Sequence, residues 1–299
     1  MLSEGQGPTR RCAVWGSPVE HSLSPVLHRA AYAALGLDGW CYDRRDVDVV
    51  AFPSAFAALD GTWRGLSLTM PLKEVALEAA SLVTPLAAAT GAANTLVREA
   101  EDPSRWSAHN TDVHGIATAL RLAGAADWSS LLVVGSGATA RSALAALATV
   151  SAVTARDARV VFMVRDAVRA ATLAQASEAG VQVDVVTMGD WGPAAEVDVV
   201  VSTVPPLSLP GLDRLPEARS SAPTVGAKKG TTVGPVLLDV VYGSGETPLQ
   251  RAARQRGWSV AEGTDMLLHQ ATEQVRLMTG HEPPLAAMAS ALRDALAAR

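Results

Sequence analysis

The sequence has few of the features that mark metal-binding, secreted or membrane proteins. It contains two cysteines, Cys12 and Cys41, and no Cys/His spacing typical of zinc, so we predict two buried thiols with no disulfide and no metal site. No apolar run approaches the roughly 20 residues of a membrane helix, and residues 1–10 lack the apolar core of a signal peptide. These absences predict a cytoplasmic protein with no membrane partner.

An excess of positive charge is also missing. The 299 residues carry 25 Lys and Arg against 30 Asp and Glu, a formal net charge of −5, and the basic residues are scattered along the chain. A nucleic-acid-binding surface needs clustered positive charge, so we predict no nucleic-acid partner and favour small-molecule chemistry. The length and the 48% hydrophobic content are sufficient for two domains with separate cores. We expect a monomer or a homodimer.

Hydrophobic patterning predicts a small α/β unit in the first 110 residues. Apolar runs with strand character alternate there with Ala- and Leu-rich helical stretches. The predicted strands are residues 12–15, 66–69 and 94–97, and the predicted helices are residues 26–35 and 75–82.

A second unit begins with a continuous β-rich run at residues 131–134, which leads into two glycines and a predicted helix at residues 141–149. Further strands are predicted at residues 160–164, 181–186, 197–202 and 236–241. Helix-length segments separate the first four strands of this unit, which predicts a parallel, doubly wound sheet of the Rossmann type. The predicted fold class is therefore α/β with two domains.

The C-terminal third combines a polar segment with two predicted helices. Residues 217–235, rich in Ser, Thr, Gly and Pro, are predicted to form an exposed loop in which Lys228 and Lys229 aid solubility. From Thr264 the pattern becomes helical, and a proline pair separates this helix from a last amphipathic helix at residues 285–296. The positions that share one face of the first of these helices are Met266, Gln270, Gln274 and Leu277.

The glycine-rich turn after the strand at 131–134 predicts a dinucleotide site. In the pattern Gly135-x-Gly137-x-x-Ala140, the first glycine permits a tight turn, the second allows backbone N–H groups to approach a pyrophosphate, and the alanine permits close helix packing. The alternative is a plain strand-to-helix turn with no ligand, and the strand-helix-strand context argues against it.

The end of the next strand is expected to select the cofactor. Arg165 and Arg169 follow the strand at residues 160–164 and, if a helix begins there, could both face a 2′-phosphate, which favours NADP. Asp166 is the competing signal, because an acidic side chain could accept bonds from a free ribose 2′-OH, pair with Arg169 or cap the helix. NAD is the less favoured cofactor.

Two polar clusters ahead of the glycine-rich turn suggest acid/base chemistry beside a redox cofactor. Lys73 lies just past an apolar strand end, and Asp112 follows Asn110 and Thr111. We predict that Lys73 exchanges a proton with a substrate oxygen and that Asp112 orients the ammonium group. The alternatives are a solvated surface lysine and an aspartate that caps the helix predicted at residues 115–122.

Two hydroxyls precede the first predicted helix. Ser22 and Ser24 flank a single leucine, and in an extended segment residues two apart share a face, so both could bind one hydroxylated or carboxylate ligand. For Ser24, an N-cap ahead of a proline at the first helical position is an equal alternative.

Six motifs, in this order, resemble the signature set of the shikimate dehydrogenase family. They lie at residues 14–28, 68–74, 91–96, 110–112, 239–242 and 263–270, and so extend over nearly the whole chain. The resemblance implies a substrate-binding catalytic domain at residues 1–113, completed by the C-terminal helices at 264–299, and an inserted NADP-binding Rossmann domain at 114–263. It also implies reversible, NADPH-dependent reduction of 3-dehydroshikimate to shikimate in the biosynthesis of aromatic amino acids.

The resemblance assigns a role to individual side chains. It implies that Lys73 and Asp112 are the catalytic pair and also contact the substrate. The other implied substrate-binding residues are Ser22, Ser24, Thr69, Asn94, Tyr242 and Gln270. The implied or predicted cofactor-binding residues are Gly135, Ser136, Gly137, Ala138, Thr139, Arg165, Arg169, Val240, Gly263 and Met266.

The chain departs from the family pattern at four positions and leaves two alternatives. The family usually has Asn, Gly, Gly and Asn at the positions of Ser67, Val113, Ala138 and Val164. One alternative is an NAD-preferring quinate/shikimate or aminoshikimate dehydrogenase on the same scaffold. The other is a catalytically idle dinucleotide-binding sensor, which would have no need for the Lys/Asp pair.

Overall fold

A computed structural model describes residues 9–150, 158–206, 209–220, 232–243 and 245–299. In chain order, the elements up to the first long connection are β1 (Arg10–Gly16), α1 (Ser24–Ala34), β2 (Trp40–Asp46), α2 (Phe52–Ala57), β3 (Trp63–Leu68), α3 (Val75–Ala79), β4 (Leu82–Val83), α4 (Pro85–Thr90), β5 (Thr95–Arg98), β6 (Trp106–His109) and α5 (Asp112–Leu122). They are followed by β7 (Ser130–Val134), α6 (Ala138–Val150), β8 (Arg159–Val164), α7 (Ala170–Ala179), β9 (Gln182–Thr187), β10 (Val199–Ser202), β11 (Arg219–Ser220), β12 (Thr232–Val233), β13 (Val236–Asp239), α8 (Pro248–Gln255), β14 (Ser259–Ala261), α9 (Gly263–Thr279) and α10 (Leu285–Ala297). Short 3-10 turns lie at Gly192–Ala195 and Leu212–Arg214.

The chain divides into two compact units. Unit 1 comprises Met1–Asp112 and Leu267–Arg299, and unit 2 comprises Val113–Met266. The first unit is therefore built from the two ends of the sequence, and the second is inserted between them. Each unit has its own six-stranded sheet.

The sheet of unit 1 is mixed, with the strand order β2-β1-β3-β5-β6-β4. β1 pairs in parallel with both β2 and β3, whereas β5 runs antiparallel to β3 and β6. One hydrophobic cluster lies against this sheet and includes Trp15, Leu66, Leu72, Leu96 and Trp106, all buried. The carboxyl ends of β1 and β3 and the start of β5 thus rest on a rigid core, and the polar residues of interest lie there.

The sheet of unit 2 is entirely parallel, with the order β14-β13-β10-β7-β8-β9. Numbered within the unit, this is the 3-2-1-4-5-6 order of a dinucleotide-binding Rossmann sheet, and β7 and β10 flank the point where the order reverses. β7, β8, β10 and β13 are almost fully buried, since helices cover both faces of such a sheet. The predicted two-domain α/β class is confirmed.

Several predicted boundaries shift, and several elements were not predicted. The helix predicted at 75–82 ends at Ala79, because the chain turns into β4, which pairs with β6. The helix predicted from 141 begins at Ala138. The predicted loop at 217–235 contains a two-residue antiparallel ribbon, β11 with β12, while Lys228 and Lys229 lie outside the described residues. The elements that the sequence patterns did not predict include β2, α2, β4, α4, β6, α8 and β14.

Both cysteines are free, but only one is fully buried. Burial raises the pKa of the Cys12 thiol to about 12. Cys41 is half-buried, which corrects the prediction of two buried thiols, because β2 is the edge strand of its sheet. Within the described part of the chain, no helix combines the length and the apolar character needed to cross a membrane.

Candidate functional site

Lys73 and Asp112 form a close ion pair in unit 1. The Lys73 Nζ atom donates to Asp112 Oδ2 over 2.5 Å, and the two side chains are only 16% and 6% exposed. Lys73 is therefore not the solvated surface lysine that was the alternative prediction. A charge-assisted hydrogen bond at this distance, between side chains largely shielded from solvent, fixes the ammonium group in one place.

Main-chain hydrogen bonds hold the segment that carries Lys73. The carbonyl of Lys73 accepts from Ala93 N at 2.7 Å, and Thr69 N donates to Trp15 O at 2.9 Å. Gly16 permits this approach of β1 to the segment, since a Cβ there would lie 2.3 Å from Thr69 Cγ2 and 2.8 Å from the Met70 carbonyl oxygen. Hydrogen bonds to Trp15 and Ala93 thus fix the backbone from Thr69, which carries the hydroxyl, to Lys73.

Asp112 is the first residue of α5, so it does not precede the helix as an N-cap. Its backbone N–H donates to Asn110 Oδ1 at 3.2 Å, while its second carboxylate oxygen, Oδ1, accepts from Asn94 Nδ2 at 2.8 Å. Both carboxylate oxygens are therefore engaged with side chains of the site, Asn94 and Lys73. The N-terminal end of α5 also favours the negative charge.

Asn94 connects the ion pair to helix α9. Its Nδ2 atom contacts Gln270 Oε1 at 3.2 Å and Thr111 Oγ1 at 2.9 Å, and its Oδ1 atom accepts from Thr111 N at 2.8 Å. Asn94 and Gln270 are 2% and 7% exposed. The structure therefore brings Lys73, Asn94, Asp112 and Gln270 into one polar cluster, although they are far apart in sequence.

Ser22 and Ser24 lie at the start of α1 in a geometry different from the predicted one. Leu23 is in the right-handed helical region, with φ −90° and ψ −1°, so the segment is not extended. Leu23 is also the N-cap, and Ser24 is the first helical residue, which contradicts the alternative of Ser24 as a cap. The two serines are nevertheless neighbours, since Ser24 N donates to Ser22 Oγ at 3.3 Å.

A second polar cluster lies buried beside the first, and the sequence patterns did not reveal it. Gln274, one helical turn after Gln270, contacts His28 and Ser67, and Tyr42 donates to the Ser67 hydroxyl at 2.6 Å. Burial lowers the pKa of His28 to about 3, so the imidazole is neutral. The sequence signals were the position of Gln274 on the same face of α9 as Gln270 and the departure of Ser67 from the family pattern.

The glycine-rich turn of unit 2 lies at the carboxyl end of β7, at the reversal point of the sheet. Gly135 has φ +105°, a conformation that side chains rarely adopt, and a Cβ there would lie 2.6 Å from Thr203 Oγ1. A Cβ on Gly137 would meet no atom within 4 Å, which leaves room for a ligand above the turn. Ala140 is fully buried, as close helix packing requires. The backbone N–H groups at the start of a helix such as α6 can hold a pyrophosphate, and this turn fits a dinucleotide.

Arg165 and Arg169 are both exposed, but the helix expected to align them begins later. The chain after β8 is irregular, and α7 starts at Ala170 with Arg169 as its extended N-cap. The assumed helical spacing of the two arginines is therefore wrong, and Asp166 is not the helix cap. Arg169 N instead donates to Ser136 Oγ at 3.3 Å, which places it beside the glycine-rich turn. The remaining residues predicted for that turn, Ala138 and Thr139, form the first turn of α6.

The segment after β13 carries the remaining predicted residues of unit 2. Gly263 packs directly on this segment, since a Cβ there would lie 2.8 Å from the carbonyl oxygens of Asp239 and Val241. Asp239 is fully buried, burial raises its pKa, and it accepts from the Thr247 hydroxyl at 2.7 Å. This contact fixes the backbone that presents the next predicted positions, Val240 and the half-buried Tyr242, and Met266 follows in the first turn of α9.

Comparison with known proteins identifies the family of this chain. A family profile described as the shikimate dehydrogenase substrate binding domain matches residues 14–96, and one described as the shikimate 5′-dehydrogenase C-terminal domain matches residues 263–293. A shikimate dehydrogenase (NADP(+)) from Moorella thermoacetica is 36% identical over 96% of this chain and 93% of its own length.

Two solved structures are similar along their whole length. The crystal structure of Mycobacterium tuberculosis shikimate dehydrogenase has a TM-score of 0.79 and 36% identity, covering 96% of this chain and 99% of that one. Shikimate 5-dehydrogenase from Thermus thermophilus, solved in complex with NADP(H) and shikimate, has a TM-score of 0.77 and 30% identity, covering 96% and 100%.

A Rossmann unit inserted into a second α/β unit that holds a lysine–aspartate pair defines a nicotinamide-dependent oxidoreductase. With full-length relatives above 30% identity, the chain belongs to the shikimate dehydrogenase family. The family prediction from the six motifs is confirmed.

Proposed function

We propose that this protein catalyses the reversible, NADPH-dependent reduction of 3-dehydroshikimate to shikimate. The observation that carries the proposal is the 2.5 Å contact of Lys73 with Asp112, in a chain that is 36% identical to a shikimate dehydrogenase (NADP(+)). In this proposal, unit 1 is the substrate-binding domain and unit 2 is the NADP-binding domain. The pair also argues against an idle dinucleotide-binding sensor, which would have no use for it.

Lys73 supplies the proton in the proposed mechanism. NADPH, when bound, would supply a hydride for the ketone carbon, and the ketone oxygen would then need a proton. The Lys73 ammonium donates that proton, and in the oxidative direction the neutral amine removes it from the hydroxyl. Asp112 holds the Nζ atom at 2.5 Å and so orients the ammonium group before transfer.

The polar cluster of unit 1 is proposed to hold the substrate. Asn94 and Gln270 offer amide groups, and Thr69 offers a hydroxyl on the fixed segment before Lys73. Ser22 and Ser24, adjacent at the start of α1, offer hydroxyls suited to the carboxylate. Tyr242 is proposed as a further substrate contact from the position it matches in the family motif.

Unit 2 is proposed to bind NADP through two sets of groups. The backbone of Gly135, Ser136, Gly137, Ala138 and Thr139 would hold the pyrophosphate, and Arg165 and Arg169 would bind the 2′-phosphate. The positions proposed to line the nicotinamide are Val240, Gly263 and Met266. A cytoplasmic location, a monomeric or homodimeric state and a role in aromatic amino-acid biosynthesis stay predictions of the sequence and the family.

The decisive experiment measures shikimate oxidation with NADP and with NAD, and repeats both assays with quinate. We expect shikimate with NADP to be the best pair. Preference for NAD or for quinate would support the alternative dehydrogenase on the same scaffold, and no turnover of any pair would contradict the proposal.

The role of Lys73 is tested by Lys73→Ala. Loss of a general acid/base costs about 10²- to 10⁴-fold in rate, so kcat should fall by about 100-fold or more. The affinity for shikimate, measured by calorimetry, should change only several-fold, because other groups also hold the substrate. Glu78→Ala, which removes an exposed charge from the neighbouring helix α3, is the matched control and should retain normal kcat. Near-normal turnover in Lys73→Ala would remove Lys73 from the mechanism.

A further inference from the structure

The buried amide of Gln274 makes four hydrogen bonds, the full number available to a glutamine side chain. Its Oε1 atom accepts from Ser67 Oγ at 2.8 Å and from His28 Nε2 at 3.2 Å. Its Nε2 atom donates to Thr95 Oγ1 at 2.9 Å and to the Asn94 carbonyl at 3.3 Å. Gln274 therefore joins α9 to three other elements of unit 1, namely α1, β3 and the start of β5.

One backbone N–H group, that of Thr111, determines which groups of this cluster donate hydrogen bonds and which accept them. Thr111 N is necessarily a donor, and it contacts Asn94 Oδ1 at 2.8 Å, so the Nδ2 group of Asn94 faces the Asp112 carboxylate. The Thr95 hydroxyl lies 2.8 Å from the same Oδ1 atom and must donate its one proton there. Thr95 Oγ1 can then only accept from Gln274, which places the nitrogen of the Gln274 amide on that side.

The remaining contacts determine which groups donate and which accept on the His28 and Ser67 side of Gln274. Because the oxygen of Gln274 faces Ser67 and His28, the Ser67 hydroxyl donates to it and accepts in turn from Tyr42 OH at 2.6 Å. His28 must donate through Nε2, so its neutral ring carries no proton on Nδ1. Consistent with this, Nδ1 is buried and has no hydrogen-bond partner among the described residues.

We propose that Gln274 is a positioning residue, which holds Asn94 and, through it, the Asp112 carboxylate in the orientation that catalysis requires. The donors form a one-way series that reaches Gln274 from Tyr42 through Ser67 and directly from His28, and then runs through Thr95 and Asn94 to Asp112. This role rests on the proposed function, because it acts on the residues assigned there. On the side of Asp112, Gln274 contacts Thr95 and the Asn94 backbone. It therefore acts on the Lys73–Asp112 pair only through these groups.

The first test is a double-mutant cycle on the kinetics of shikimate oxidation. Gln274→Met conserves volume but removes the amide, and Thr95→Val removes the next hydroxyl in the series. We expect each to lower kcat by about tenfold, since small displacements of a catalytic group can cost up to about 100-fold. The double variant should be no slower than the slower single variant, because both changes interrupt the same series.

A threonine elsewhere on α9 provides the control for this cycle. Thr272→Val removes a buried hydroxyl of α9 whose hydrogen bond, among the described residues, is to His269 O of the same helix at 2.8 Å, and should leave kcat unchanged. Multiplicative losses in the double variant, or a lower melting temperature of Gln274→Met with normal kcat, would overturn the positioning role. If Gln274→Met does not fold, Gln274→Glu takes its place, since it keeps the oxygen facing Ser67 but removes the donor to Thr95.

The second test does not depend on activity. Nitrogen-15 NMR of the wild-type protein at pH 7, with histidines assigned by a His28→Phe variant, reports which ring nitrogen of His28 carries the proton. We expect the Nε2–H tautomer. The Nδ1–H tautomer would mean that His28 Nε2 accepts from Gln274, so that the Gln274 amide has the opposite orientation. This result would overturn the donor series, whatever the enzyme's substrate. If the protein fails to oxidise shikimate but shows the Nε2–H tautomer, the proposed function is wrong while the donor series stands.

Discussion

Replacing His28 with phenylalanine should change how the stability of unit 1 depends on pH. His28 is fully buried, its ring stacks on that of Tyr42 with 3.9 Å between centroids, and burial lowers its pKa from 6.5 to about 3. Below about pH 6.5 the unfolded chain binds a proton on this ring, whereas the folded chain does so only near pH 3. The stability contributed by neutral His28 is therefore complete above pH 6.5 and is lost as the pH falls through this window.

The magnitude follows from the width of the window that the experiment spans. Between pH 6.5 and pH 5, about 1.36 kcal/mol is lost per pH unit, or about 2 kcal/mol in all. His28→Phe avoids this loss and keeps an aromatic ring against Tyr42. It removes one hydrogen bond to Gln274, which should cost about 1 kcal/mol at every pH. We therefore expect the variant to be less stable than wild type at pH 7.5 and more stable at pH 5, by about 1 kcal/mol each way.

The assay must report on unit 1 alone. Urea unfolding followed by pulsed hydrogen exchange of peptides from β1 and β3 gives the free energy of unfolding of that unit at each pH. His281→Phe, which replaces an exposed histidine after α9, is the control and should follow the wild-type pH dependence. Parallel loss of stability in wild type and His28→Phe between pH 7.5 and pH 5 would refute the reasoning, because it would mean that the buried ring does not remain neutral.

Three further changes test other parts of the site. Asp112→Asn should lower both kcat and shikimate affinity, measured by steady-state kinetics and calorimetry, and a change in stability alone would contradict the catalytic assignment. The double variant Arg165→Ala, Arg169→Ala should lose on the order of 10- to 1000-fold in kcat/KM for NADP, at about 1.4 kcal/mol per tenfold, with little effect on NAD. Equal losses with both cofactors would show that the arginines do not select the phosphate. Gly16→Ala should raise the KM for shikimate, because the new Cβ would lie 2.3 Å from Thr69 Cγ2 and must displace that side chain. An unchanged KM would mean that Thr69 does not bind the substrate.

Sequence patterns predicted best the elements that are buried on both faces. β7 is a continuous apolar run because helices cover its sheet on both sides, so it could be recognised without knowing its neighbours. β2 could not, since it is an edge strand whose last four residues are exposed, and its Asp and Arg side chains break the apolar pattern. Its strand conformation depends on pairing with β1, which is a tertiary contact.

The residues of the candidate site also differ in whether a local pattern or a tertiary contact reveals them. Lys73 and Asp112 could be singled out because their chemistry is visible locally and the motifs around them resemble a family. The role inferred for Gln274 depends on side chains from α1, β3 and β5, up to 246 residues away in the sequence, and no local pattern contains those contacts. The helix start near Arg169 was misplaced because the residues after β8 are irregular up to Arg169. The N–H of Arg169 donates to the Ser136 hydroxyl, which is 33 residues away in the sequence, so the local pattern does not contain this contact either.

The insertion of unit 2 into unit 1 also determines the order in which the protein can mature during synthesis. Translation begins at the N-terminus, and domains generally fold as units as they emerge. Residues 113–266 are complete before residues 267–299 of unit 1, which hold most of α9 and all of α10, have been made. The Rossmann unit can therefore fold first, although unit 1 was begun first. Until α9 is made, Asn94 and Thr95 lack the amides of Gln270 and Gln274, so the polar cluster around Lys73 and Asp112 stays incomplete until α9 has been translated.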